Sequence, residues 1–427
     1  MLRYSLVLAS VSPVFFAVVL KGFNFLFVGL ACLCQHWLQQ ASLGFRVPDS
    51  EKLPQSSSDS GKDCLGMSAS RLPHELWSAK RGSPLQLAAQ GYFWVGSEVV
   101  DTSVGPGLRG QTYVEYWIPE DLRHPFPIVM VHGGGGQGLD FLGTGDGREG
   151  WAHWFVRQGY AVYIIDRPCH GRSPFHPDIQ GEMMPLLPSI VVERLFSRPS
   201  TFEDNWPQAR LHDKWPGSGT FGDPAFESFL ASAGPMPASM ELHHQDAQRG
   251  GAELLDQIGP AILMTHSAGG PVGWLMLDAR PALVKGIVAV EPVGPPFAEN
   301  PDGKLNWGVT AAQLTYDPPV ERFDQFELQE RLPTRSDNVA CLVQREPARQ
   351  LPHFRDVPIV VVTAEASWMA ADNHGIVDFL AQAGATIEHL RLEDVGIHGN
   401  GHAMMLETNS DEIAQVIQDW IEEKQLS

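Results

Sequence analysis

Three short stretches carry residue types whose spacing suits acyl-transfer chemistry. The first is Ala261-Ile-Leu-Met-Thr-His-Ser-Ala-Gly-Gly270, an apolar run followed by small residues around Ser267 and then a helix-forming segment. A serine held at a sharp strand-to-helix turn projects its hydroxyl, and small neighbours such as Ala268 and Gly269 permit the strained backbone that this requires. Thr265 stands where the commoner G-x-S-x-G pattern has its first glycine, so the strand–turn–helix context carries the reading more than the motif does. The plain competitor is a serine that merely caps a helix.

The second stretch, Val131-His132-Gly133-Gly134-Gly135-Gly136-Gln137-Gly138, follows another apolar run. Glycines there let backbone N–H groups face a substrate oxygen, and the amides of Gly134 (or its neighbour) and Ala268 would form an oxyanion hole. A phosphate cradle competes for any such run, but the Gly-Lys-Ser/Thr ending and the G-x-G-x-x-G register are both absent.

The third stretch, Gly396-Ile-His-Gly-Asn-Gly-His402-Ala-Met-Met-Leu-Glu407, offers a general base. His402 is favoured over His398 because it follows a glycine directly and stands a short way before the closing helix; His398 is expected at the surface. Their spacing invites a metal ion, yet the intervening glycines break H-x-x-x-H helical geometry and no third ligand is evident. A carboxylate must orient such a base and stabilise its imidazolium. Glu291 ends KGIVAVEP and Glu365 follows PIVVVT, and both satisfy the order serine, acid, histidine. The constellation calls for no metal and no cofactor. With a modestly perturbed imidazole, turnover would rise with pH near about 6 to 7.

The elements that must position these groups are legible around them. Pro127–Val131, Ala161–Ile165, Ala261–Thr265, Lys285–Val290 and Pro358–Thr363 are short apolar runs of the kind that form strands buried on both faces. Helices are expected over Gly150–Gln158, Gly270–Asp278, His374–Ala383 and Asp411–Lys424, the last with Ile413, Val416, Ile417 and Trp420 on one face. Tyr92–Val100 and Gln111–Pro119 read as an antiparallel hairpin around VGPGLRG. The alternation implies an α/β fold with a mainly parallel, doubly wound sheet and ligands at the carboxyl ends of its strands. Two segments, 174–258 and 294–356, are too long for simple connections and read as cap or lid inserts. Trp, Phe and Met in them suggest a bulky apolar substrate.

The remaining composition excludes whole classes. The 427 residues include 30 Lys+Arg against 50 Asp+Glu, a net charge of −20, which argues against nucleic-acid binding. With 43% hydrophobic and 19% charged residues the chain can bury a large core. Its five cysteines, Cys32, Cys34, Cys64, Cys169 and Cys341, form no C-x-x-C pair and no disulfide scaffold. Ser5–Cys34 is nearly unbroken apolar sequence, preceded by Arg3 and interrupted by Lys21. It reads as a signal anchor or a cleavable signal peptide within residues 1–48, leaving the catalytic part lumenal, extracellular or secreted. The Ser-rich stretch DSEKLPQSSSDSGKD places a flexible linker over 49–84, and 85–427 is then the catalytic domain.

Taken together, the three motifs resemble the α/β-hydrolase superfamily with its antiparallel N-terminal strands, and more narrowly an esterase subgroup with bacterial and fungal members. The likeness extends over about Gly91 to Lys424. In that subgroup the elbow reads x-H-S-x-x-G, here Thr265-His266-Ser267-Ala268-Gly269-Gly270. Its histidine loop resembles His398-Gly-Asn-Gly-His402-Ala403-Met404-Met405, and its acid is a glutamate after the sixth strand, matching Val290-Glu291-Pro292. Asp166-Arg167-Pro168-Cys169-His170-Gly171-Arg172-Ser173 also resembles the subgroup's loop before the insert. The resemblance implies a serine hydrolase with Ser267 as nucleophile, His402 as base and Glu291, ahead of Glu365, as acid. Its expected partner is a small-molecule ester or lactone. An acyltransferase, a cyclase or lyase of secondary metabolism, and a non-catalytic binding protein on the same fold are the alternatives.

Overall fold

Apolar runs with no polar face become strands covered on both sides. The computed structural model describes residues 84–427; the membrane or signal segment expected within 1–48 and the linker expected over 49–84, apart from Pro84, lie outside the described residues. β1 (Leu87–Val95) leads into a separate two-stranded hairpin of β2 (Glu98–Thr102) and β3 (Gly105–Arg109), and β4 (Thr112–Pro119) returns antiparallel to β1. There follow β5 (Ile128–Val131), α1 (Trp151–Arg157), β6 (Val162–Asp166), α2 (Pro224–Ser232) and α3 (Met240–Ile258). The chain continues with β7 (Ala261–His266), α4 (Gly270–Ala279), β8 (Val284–Val290), β9 (Ile359–Thr363), α5 (Asn373–Gln382), β10 (Ile387–Arg391) and α6 (Ser410–Glu423). The main sheet has the order β1-β4-β6-β5-β7-β8-β9-β10 and is antiparallel only at its first two pairings.

Alternate residues of the central strands enter two separate cores. Val129, Val131, Leu263, Ile287 and Val361 face a layer that contains α3, α4 and α5, while Ile128, Met130, Ile262, Val288 and Val360 face α1 and α6. Burial on both faces is the reason these runs show no polar alternation. The chain steps from β5 to β6 on one side and to β7 on the other, so the carboxyl ends of β5 and β7 flank the point where strand order reverses, which is where open α/β sheets form a crevice. The glycine run begins at the end of β5 and Ser267 at the end of β7.

Three expectations change. The hairpin over 92–100 and 111–119 forms only in part: the first strand breaks at Gly96, whose φ is 75°, and the VGPGLRG segment read as a turn contributes β3. Bidentate contacts from Arg109 to Asp246 of α3 hold that small hairpin down. The excursion read as one insert over 174–258 ends in α3, a 19-residue helix that packs Leu254 and Leu255 into the core. Its charged and glycine-containing sequence hides the apolar stripe, yet the glycines serve the packing, since a Cβ on Gly251 would stand 2.3 Å from Met276 Cγ. Finally, β10 extends the sheet at an edge where only Ile387 and Leu390 are apolar, too few to announce a strand. Among the described residues no helix is long and apolar enough to cross a membrane.

Candidate active site

Ser267 directly follows β7 and takes φ 53°, a left-handed conformation that costs a non-glycine residue energy and persists only where its surroundings enforce it. Those surroundings are tight. A Cβ on Gly269 would lie 2.6 Å from the His132 carbonyl and 2.7 Å from that of Val131, so only glycine lets the turn approach β5. Pro271 in the first turn of α4 costs no hydrogen bond there, because the first N–H groups of a helix have no partner within it.

The second strained non-glycine residue near the crevice is Glu291, with φ 49°, just after β8, the sixth strand of the main sheet in chain order. Its carboxylate is wholly buried and lies 3.0 Å from Nδ1 of His402, which is 1% exposed. The Ala364 amide donates to its other oxygen at 2.6 Å, and the Ser367 hydroxyl donates to the oxygen that faces His402. Trp368 lies against the imidazole with ring centroids 4.0 Å apart. Ser267, His402, Gly133 and Gly134 line one cavity with about 50 Å³ of free volume, walled by Leu186, Val192, Phe196 and Met405. A Cβ on Gly134 would stand 3.5 Å from that of Ala268, so the two residues expected to supply the oxyanion amides are neighbours. A larger cavity of about 470 Å³, sharing Asp140, Phe229, Ser232 and Leu406 with the first, extends beneath α2 to Trp215.

The alternate residues pair with each other instead. Glu365 accepts from His398 Nδ1 and from the Gly399 amide, each at 3.1 Å, and the His398 side chain is 61% exposed. The loop carrying both histidines is held by Glu407, which accepts from Gly401 N at 2.9 Å, Asn400 Nδ2 at 2.7 Å and His212 Nε2 at 2.7 Å. His212 belongs to the 174–258 excursion, so that segment is tied to the histidine loop. Sequence reasoning missed Ser367, Trp368, Glu407 and His212. Glu407 stood at the end of a recognised motif, but no local signal distinguishes the others.

Burial governs protonation here. It lowers His402 and raises Glu291, the Ser367 and Ala364 donors opposing the second shift. The imidazole is therefore neutral well below neutral pH.

His402 belongs to a larger set. Burial lowers His170 and His244 to about 3 as well, and holds His132, His243 and His266 well below the ordinary imidazole value. For a lowered histidine the unfolded chain binds the proton first as pH falls. The stability is intact above about 6.5 and is lost progressively toward about 3. Asp140 and Asp372, raised to about 7, and Glu291 act in the opposite sense, since the folded chain binds their protons first. The lowered histidines outnumber the raised acids, so the unfolded chain takes up more protons as pH falls below about 6.5 and stability declines there. Tm followed by circular dichroism should fall steeply between pH 6.5 and 5. A flat profile would show that these imidazoles do not stay neutral in the fold.

Comparison with known proteins completes the description. Residues 128–416 match the Alpha/beta hydrolase family. A fungal protein, "Probable secreted lipase phiG" of Fungal sp. (strain ATCC 74256), is 39% identical over 337 residues, covering 78% of this chain and 89% of the relative. The solved structure of a novel bacterial esterase superposes with a TM-score of 0.58 at 22% identity, covering 81% of this chain and 98% of that one, a likeness of fold.

Proposed function

The chain belongs to the alpha/beta hydrolase family, and from that premise we propose that it hydrolyses a carboxylic ester or lactone of a bulky apolar small molecule through an acyl-enzyme on Ser267. The observation that carries this reading is the buried His402–Glu291 pair at 3.0 Å, opening on the same cavity as the strained Ser267. Glu291 accepts a hydrogen bond from Nδ1–H, which fixes the tautomer and leaves the Nε2 lone pair to accept the serine proton as Oγ adds to the ester carbon. His402 then returns that proton to the departing alkoxide. Water repeats the sequence on the acyl-enzyme, and Ser267 is regenerated. The amides of Gly134 and Ala268 receive the negative charge that develops on the carbonyl oxygen.

Apolar walls around Ser267 and the adjoining larger cavity support a substrate with a bulky apolar part. The burial of Glu291 beside His402 supports membership of the esterase subgroup whose acid follows the sixth strand. The apolar segment 5–34, together with a relative named as secreted, supports export of the catalytic domain, with either cleavage of the segment or retention in the membrane.

A fluorophosphonate probe should label Ser267 stoichiometrically, and a panel of p-nitrophenyl esters and lactones should be hydrolysed with rates that rise with apolar bulk. Absence of both labelling and turnover would overturn the proposal in favour of a binding protein on this fold.

A further inference from the structure

Behind the glycine run lies a guanidinium whose hydrogen bonds all go to neutral acceptors. Arg167 directly follows β6 and is 1% exposed. Its Nη1 donates to the Ala268 carbonyl at 3.0 Å, and its Nη2 donates to the Gly133 carbonyl at 2.7 Å and to His170 Nε2 at 3.3 Å. Its Nε is buried with no partner among the described residues. Burial lowers Arg167 only to about 10, so it is a cation at neutral pH. Asp302 and Asp140 act on it only through space, with no hydrogen bond to it, and a buried cation so held is destabilising in general, so a purely structural cross-link would be built more cheaply from neutral groups.

The hydrogen bonds around it fix the tautomers. The Arg167 backbone N–H can only donate, so His132 Nε2, 2.9 Å away, accepts, and the proton of that ring sits on Nδ1. That Nδ1–H donates to the Gly133 carbonyl at 2.8 Å. In the same way His170 Nδ1 donates to the Pro168 carbonyl at 2.9 Å, which leaves its Nε2 to accept from Arg167. The Gly133 carbonyl thus receives two donors, one of them cationic. This carbonyl is the far end of the peptide unit whose N–H belongs to Gly134. Drawing electron density toward the carbonyl oxygen makes the N–H of the same peptide a stronger donor, as in any hydrogen-bonded chain of amides. The bond to the Ala268 carbonyl meanwhile holds the turn that presents the Ala268 amide.

We infer that Arg167 and His132 are positioning residues that orient and polarise the Gly133–Gly134 peptide, so that the Gly134 amide binds the developing oxyanion more tightly than it binds the ester carbonyl. The inference rests on the hydrolase reading above. Polarisation of this kind acts on the transition state, so its loss lowers kcat while leaving KM nearly unchanged.

The test uses the full-length protein, with active sites counted by fluorophosphonate titration so that misfolded molecules do not enter kcat. Arg167→Gln should lower kcat per titrated site by about tenfold to a hundredfold with KM within about twofold, less than removal of an oxyanion donor outright. A trifluoromethyl ketone, which adds Ser267 to form a tetrahedral oxyanion, should lose affinity by the same factor. Two isosteric variants provide an independent arm if Arg167→Gln does not fold. His132→Gln mimics the Nε2 acceptor and loses the donor to Gly133, whereas His132→Asn keeps a donor near the Nδ1 position. The Gln variant should lose at least about fivefold more kcat than the Asn variant, a contrast that a packing role would not produce. Equal losses in the two His132 variants would overturn the inference, as would an unchanged kcat, or a kcat loss without the matching loss of ketone affinity. A wild-type protein without Ser267-dependent turnover would remove the hydrolase reading itself, an outcome seen before any of these variants is compared.

Discussion

Ser267→Ala should lower kcat by about 10⁶-fold, as removal of the nucleophile does in a serine protease with the same three roles, while Tm should change little. The large effect follows because among the described residues no other hydroxyl carries the combination found here: a left-handed backbone at the carboxyl end of a central strand and a shared cavity with a buried imidazole. The small effect on stability follows because alanine carries the same Cβ into the same φ of 53° and deletes one oxygen from a half-buried position. His402→Ala should be comparably inactive. His398→Ala should retain most turnover, since that ring is exposed and bonded to Glu365. Steady-state kinetics on one purified preparation of each, with Tm measured alongside, check the set. Hydrolysis surviving in Ser267→Ala would end the nucleophile assignment, and an exchange of severity between the two histidines would move the base to His398.

Glu291→Gln should lower kcat by about 10⁴-fold, and Glu365→Gln should leave it near the wild-type value. The carboxylate of Glu291 accepts three donors, from Ala364, Ser367 and His402 Nδ1. A glutamine has one acceptor oxygen and an NH2 group, so at least one of those donors must face another donor. Where the NH2 faces His402, Nδ1 becomes an acceptor and the imidazole proton moves to Nε2, the wrong tautomer for taking a proton from Ser267. Loss of the negative charge also removes the partner of the imidazolium in a site that burial has stripped of water. Glu365 lies on a partly exposed loop, its partners are His398 and the Gly399 amide, and neither touches the cavity around Ser267. Kinetics on both single variants and the double variant decide the matter: wild-type turnover in Glu291→Gln with collapse in Glu365→Gln would transfer the role.

The competition between those two glutamates shows where sequence reading reaches its limit. Both end apolar runs, both become residues just past the carboxyl end of adjacent parallel strands, and both precede the histidine loop. Residue type and chain order therefore could not separate them, and a family likeness was needed to prefer Glu291. What separates them in space is backbone direction. The positive φ of Glu291 turns its side chain into the sheet edge, where the loop after β9 supplies Ala364 and Ser367, whereas Glu365 is carried outward on that same loop.

Much of the frame needed no tertiary information. Strands β5 to β9 were visible because a strand covered on both faces admits only apolar residues, and the closing helix because a half-covered helix shows its stripe every three to four residues. The nucleophile turn was visible because its strain and its approach to β5 demand small residues in fixed positions. By contrast, α3 was hidden because its close packing uses glycines that local patterning reads as breakers, and β10 because an edge strand needs few apolar residues. The partners of the site were hidden for a different reason. Ser367, Trp368 and His212 act through contacts between segments far apart in the chain and look ordinary where they stand, while Glu407 and Arg167 stand in recognised motifs whose contacts appear only in space. Sequence alone determined the central strands, the closing helix and the residues fit to react, since those depend on local periodicity and on steric demands of single turns. Only the tertiary structure decided which carboxylate meets which imidazole and which cation lies behind the oxyanion loop, since burial and hydrogen-bond geometry arise from segments brought together by the fold.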